Sequence, residues 1–169
     1  RTGKLFAHHW AGTTPDVMSL AKGLGGGFPI GAVMATKGAA AGMTPGTHGC
    51  TFGGNPLAAS CANAVLDVLL EKGFLERVSM LGDRLRSEVE SVSDHFPGVL
   101  ESVRSKGLML GMKCVCNNIA LVDAMRKHKV LTVPAGDNVV RFLPPLTIEN
   151  EHIDQAISAL HDACHDLSL

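Results

Sequence analysis

The chain has 169 residues and a net charge of -1, enough for one or two small domains and without an electrostatic case for nucleic acid or an anionic membrane. Five cysteines, Cys50, Cys61, Cys114, Cys116 and Cys164, are odd in number and lack Cys-x-x-Cys spacing, which argues against a disulfide framework or zinc ribbon and for a reducing cytoplasmic compartment. No apolar run approaches the roughly 18 residues of a membrane span.

Phe6 to Trp10 is short and mixed, and is placed on the approach to a site. His8 and His9 within it lack a third ligand, which favours packing or solvent contact. Asp16 to Ala21 reads as a strand, with Val17, Met18, Leu20 and Ala21 buried. Lys22 follows at once, then Gly23, Gly25, Gly26, Gly27 and Gly31, with a second strand from Ala32 to Ala35. Glycines in this number indicate a loop pressed closely against something. Lys22 is open to four readings: a solvated charge, an ion-pair partner, a phosphate binder or a nucleophile. Burial would lower its pKa, and a neutral amine forms a Schiff base with an aldehyde. A phosphate-binding P-loop needs its lysine after the glycines and a Ser or Thr next, and a dinucleotide fingerprint needs glycine where Phe28 stands. Neither fits.

Ala39 to Gly42 reads as a helical turn, and Gly46 to Pro56 as a glycine-punctuated loop containing Thr51, whose hydroxyl suits an anion or simply a turn. Asn55-Pro56 opens a helix running to about Glu71, with Asn55 as cap. A second helix runs from Leu75 to about Ser93 with Val78, Leu81, Leu85 and Val89 on one face. Strands are expected over Val99 to Arg104, Leu108 to Val115, Val130 to Val133 and Val139 to Leu143, with helices over Ile119 to His128 and Glu149 to Leu167. Cys114 and Cys116 share one side of an extended chain and read as buried or edge thiols, because no further ligands support a metal. His161 and His165 read as a solvated stripe. Arg141, on an apolar strand running into Pro144-Pro145, needs a partner: a bound carboxylate, or a structural ion pair. The fold class is α/β.

Four ordered blocks carry a resemblance. These are Thr14-Pro15-Asp16-Val17 through Lys22-Gly23 to Gly31-Ala32, His48 to Ala58, Gly107-Leu108-Met109-Leu110-Gly111, and Pro134 to Leu146. Together they resemble the class III pyridoxal-phosphate aminotransferases. The resemblance implies a fold-type I architecture, with residues 1–78 ending the large cofactor-binding domain and residues 79–169 forming a small C-terminal α/β domain. It implies pyridoxal phosphate on Lys22, a phosphate contact from Thr51 across a homodimer interface, and substrate carboxylate recognition by Arg141. Cys50 departs from the small residue usual in the family. The implied reaction passes an amino group to 2-oxoglutarate, with N2-acetylornithine as first donor and ornithine, 4-aminobutyrate and succinyldiaminopimelate as alternatives, in arginine biosynthesis. Arg1-Thr2-Gly3 matches the stretch just after the family aspartate that pairs with the pyridine nitrogen. On that reading the chain is the C-terminal portion of a longer enzyme and is inactive alone.

Overall fold

The computed structural model describes residues 1–168. Contacts divide them into two compact units, Leu5–Phe74 and a second made of Arg1–Lys4 with the chain from Leu75 onward.

Within Leu5–Phe74, α1 (His8–Ala11) precedes a two-stranded antiparallel sheet of β1 (Val17–Leu20) and β2 (Ala32–Ala35), which pairs Val17 with Ala35 and Leu20 with Ala32. A 3-10 turn spans Lys22–Gly25 and another Ala39–Gly42. Helix α2 (Pro56–Leu69) starts where the sequence predicts: Asn55 Oδ1 accepts the Ala58 N–H at 2.9 Å, and Pro56 occupies the first turn, where a missing N–H costs nothing. Only Ala58 and Ala62 of α2 are buried, and α2 packs on the Lys22–Gly25 turn. The burial expected for Val17, Met18, Leu20 and Ala21 is not found, and Ala21 is exposed. Val17 is 56% exposed and Met18 and Leu20 are half-buried, because a two-stranded ribbon cannot cover its own faces.

The second unit is a four-stranded antiparallel sheet in the order β3-β4-β6-β5, formed by β3 (Leu100–Lys106), β4 (Met109–Cys114), β5 (Val133–Ala135) and β6 (Val139–Phe142). Alternation explains its two faces. Leu110, Met112, Cys114, Val140 and Phe142 point into a core shared with α3 (Phe74–His95), α4 (Asn118–Lys127) and α5 (Asn150–Leu167), while Met109 and Arg141 face outward. Helix α3 contributes Val78, Leu81, Leu85 and Val89, the face its spacing indicates. The strand expected over Val130–Val133 lies instead at Val133–Ala135. The end of α4 consumes the earlier residues: the Val130 N–H returns to the Met125 carbonyl at 3.0 Å and Lys129 turns left-handed at φ 65°. Pro134 is accommodated because β5 is an edge strand.

Arg1–Gly3 runs along this unit, with the Arg1 carbonyl accepting the Leu108 N–H at 3.0 Å. Two glycines permit the approach. A Cβ on Gly82 of α3 would lie 2.4 Å from the Gly107 carbonyl carbon, and one on Gly107 would lie 2.6 Å from that of Thr2. Backbone cannot yield as a flexible side chain can. Gly82→Ala is therefore expected to destabilise this unit by about 1–3 kcal/mol. Gly98→Ala, with nothing within 4 Å of the added methyl, is expected to change little; thermal unfolding of the two variants side by side checks the contrast.

Candidate active site

Lys22 joins β1 to the 3-10 turn. Ala21 is fully extended, at φ -158°, and Lys22 then takes φ 55°, a left-handed conformation that a side chain disfavours. The turn is closed by the Leu24 N–H to Ala21 at 3.2 Å, the Gly26 N–H to Gly23 at 3.2 Å and the Phe28 N–H to Gly25 at 3.0 Å. Its glycines divide into two kinds. Gly25 and Gly26 are packed: added Cβ atoms would meet Ile30 Cγ2 at 2.8 Å and Val65 Cγ2 at 2.9 Å. Gly23, beside the lysine, has a negative φ and nothing within 4 Å, so no contact among the described residues explains its missing side chain. Lys22 itself is exposed, and among the described residues its Nζ makes no hydrogen bond or ion pair. Burial within this chain is thus not what distinguishes it. An apolar cleft of about 140 Å³ is lined by residues on both sides of it, Leu20 and Leu24, with Val65, Leu66 and Leu69 of α2.

Thr51 lies in the turn before α2, exposed, with its hydroxyl unpartnered among the described residues. Cys50, also exposed, closes that turn through its carbonyl, which accepts the Gly53 N–H at 3.2 Å.

Arg141 belongs to the other unit. It sits on the outward face of β6, opposite Gly111 of β4 and Val133 of β5. The charge on an apolar strand is resolved by alternation rather than by a salt bridge: its neighbours Val140 and Phe142 are buried, Arg141 is exposed, and among the described residues its guanidinium has no partner. With Arg104, Lys106, Gly111 and Asp137 it lines a cleft of about 460 Å³ whose charged groups are mostly cationic. Lys113 Nζ donates to Asp137 Oδ1 at 2.6 Å, and this bond, with Arg104 at 3.7 Å, holds the Asp137 carboxyl below its ordinary value. Sequence reasoning assigned Lys113, Asp137 and Asn138 no role, although two consecutive Asx residues before a strand are a turn signal.

His8 and His9 stack edge-on at 4.4 Å beside Phe6, and His161 stacks on His95 at 5.6 Å. Cys114 is buried, and among the described residues no three His, Cys, Asp or Glu side chains could hold a metal.

The family model described as "Aminotransferase class-III" matches residues 1–164. The chain belongs to that family. It is 55% identical over 168 residues to acetylornithine aminotransferase 1 of Bradyrhizobium diazoefficiens and 52% identical over 168 residues to acetylornithine aminotransferase of Mesorhizobium japonicum. In each case the match covers 99% of this chain and 42% of the relative. The solved structure of acetylornithine aminotransferase from Elizabethkingia anophelis superposes with a TM-score of 0.90 at 34% identity, covering 98% of this chain and 45% of that one. This class III chain therefore spans less than half the length of the relatives it matches, and its mixed α/β architecture is that of a portion of a fold-type I aminotransferase.

Its thiols should separate chemically. Burial, with Cys116 adjacent, pushes Cys114 up to about 11, and burial pushes Cys164 up to about 12, whereas Cys50 is exposed. At a pH of about 8, iodoacetamide should modify Cys50 within minutes and leave Cys114 and Cys164 intact until unfolding, as read by peptide mass mapping.

Proposed function

We propose that this chain serves a pyridoxal-phosphate-dependent aminotransferase that takes N2-acetylornithine as amino donor and 2-oxoglutarate as acceptor, in arginine biosynthesis. The observation that carries the reading is Lys22: an exposed amine without a partner among the described residues, on a left-handed backbone, beside a glycine that no local contact requires. Identity above 50% to acetylornithine aminotransferases supports the choice of donor.

The donor chemistry fits the cofactor. Lys22 offers a primary amine for its aldehyde and Thr51 a hydroxyl for its phosphate, and both are unpartnered among the described residues. When bound, pyridoxal phosphate supplies the electron sink for the carbanion formed at the donor's Cα. Lys22 Nζ would hold the cofactor's aldehyde carbon, and the same amine, when free, would be placed to take the donor's Cα proton as general base. Thr51 Oγ1 would donate to a phosphate oxygen, from the neighbouring subunit of a homodimer. Arg141 binds the substrate carboxylate through two parallel N–H···O bonds, which fixes orientation as well as position. The compartment is the cytoplasm, where thiols stay reduced, and all five cysteines are free.

In the full-length enzyme, Lys22→Ala should lower turnover by about a thousandfold. Arg141→Ala should raise KM for the amino donor roughly 10- to 100-fold with cofactor absorbance retained. Steady-state kinetics with N2-acetylornithine, ornithine, 4-aminobutyrate and succinyldiaminopimelate test the whole reading. The highest kcat/KM is expected for N2-acetylornithine, and preference for another donor would reassign the substrate.

A further inference from the structure

Arg141 faces outward only while β6 keeps its register. Side chains alternate with a period of two, so a slip of one residue would send the guanidinium into the core and expose Val140 and Phe142. The partner strands do little to prevent this. β5 is an edge strand of three residues containing Pro134, and β6 has four. Burial of Val140 and Phe142 favours the observed register, and the β5–β6 turn adds a second constraint.

That turn holds two successive non-glycine residues in left-handed conformations, Asp137 at φ 58° and Asn138 at φ 53°. The Asn138 side chain is fully engaged. Its Nδ2 donates to the carbonyls of Cys114 and Cys116, both at 2.8 Å, and its Oδ1 accepts the N–H of Asn118 at 2.9 Å. The Asn138 carbonyl accepts the Cys114 N–H at 3.0 Å. Asn118 answers from the start of α4, donating through Nδ2 to Ala135 at 3.0 Å and Val139 at 3.1 Å, the two residues that pair across the hairpin. Two amides thus tie the end of β4, the first turn of α4 and both arms of the β5–β6 hairpin at one point. A shifted hairpin would leave five side-chain bonds unmade in a half-buried place, where an unsatisfied amide is costly.

We infer that Asn138, with Asn118 behind it, is the positioning residue that holds Arg141 on the open face of the sheet for the substrate carboxylate. The inference rests on the carboxylate-binding reading of Arg141. Asn138 touches no substrate; it acts through the register of β6.

Asn138→Gly in the full-length holoenzyme isolates the amide, because glycine adopts φ 53° without strain. The expected result is a KM for the amino donor raised roughly tenfold, with kcat within about twofold and cofactor absorbance unchanged. In an Arg141→Ala background the same change should add less than about a twofold effect, since the group it positions is gone. An unchanged KM in Asn138→Gly, or a rise that persists undiminished on Arg141→Ala, overturns the positioning role. Asn118→Ala, which removes the two reciprocal donors and no backbone group, carries the same expectation and keeps the test decisive if Asn138→Gly does not yield holoenzyme. The two claims separate cleanly. If Arg141→Ala alone leaves KM unchanged, carboxylate binding fails and positioning with it; if Arg141→Ala raises KM while Asn138→Gly is silent, positioning alone fails.

Discussion

The left-handed backbone at Lys22 is the constraint around which its unit is arranged. An L-residue there costs on the order of 1–2 kcal/mol, and the surrounding chain has to hold it in place. It does so with the β1–β2 ladder on one side, three turn hydrogen bonds on the other, and α2 packed behind, with Val65 so close to Gly26 that no Cβ would fit. Among the described residues the amine so held meets no hydrogen-bond or ion-pair partner.

The second unit solves a different problem, which is to keep a cation on a predominantly apolar sheet without burying it. Antiparallel pairing with helices on one face leaves the other face open, and Arg141 occupies that face across from Gly111, the one β4 position with no side chain to fill the cleft. The register that makes this possible is short and rests on side-chain amides rather than on a long ladder. The loop that follows β6 is anchored separately: Arg77 donates to the carbonyls of Leu146 and Ile148 and pairs with Glu149. The two devices bring segments far apart in sequence to opposite ends of one strand.

Much of this was legible in the residues. Asn55-Pro56 announces α2 through local capping chemistry, and the heptad-like spacing of Val78, Leu81, Leu85 and Val89 announces α3, because both signals are local or periodic. The Lys22 segment and Arg141 were singled out by composition and setting. What escaped was whatever depends on distant partners. Burial of β1 was overestimated because apolar content was read as a covered face, and a ribbon of two strands covers neither of its faces. β5 was set too early because the end of α4 takes up Val130, which no propensity reveals. The reciprocal amides of Asn118 and Asn138 stand 20 residues apart and leave no periodic trace.

The central claim is that the Lys22 amine carries the cofactor covalently. Reducing the full-length holoenzyme with borohydride, digesting it and mapping the modified peptide by mass spectrometry tests this most directly. The account predicts a pyridoxyl adduct on Lys22 in the peptide that continues through the glycine run. An adduct on any other lysine, or none, would contradict it.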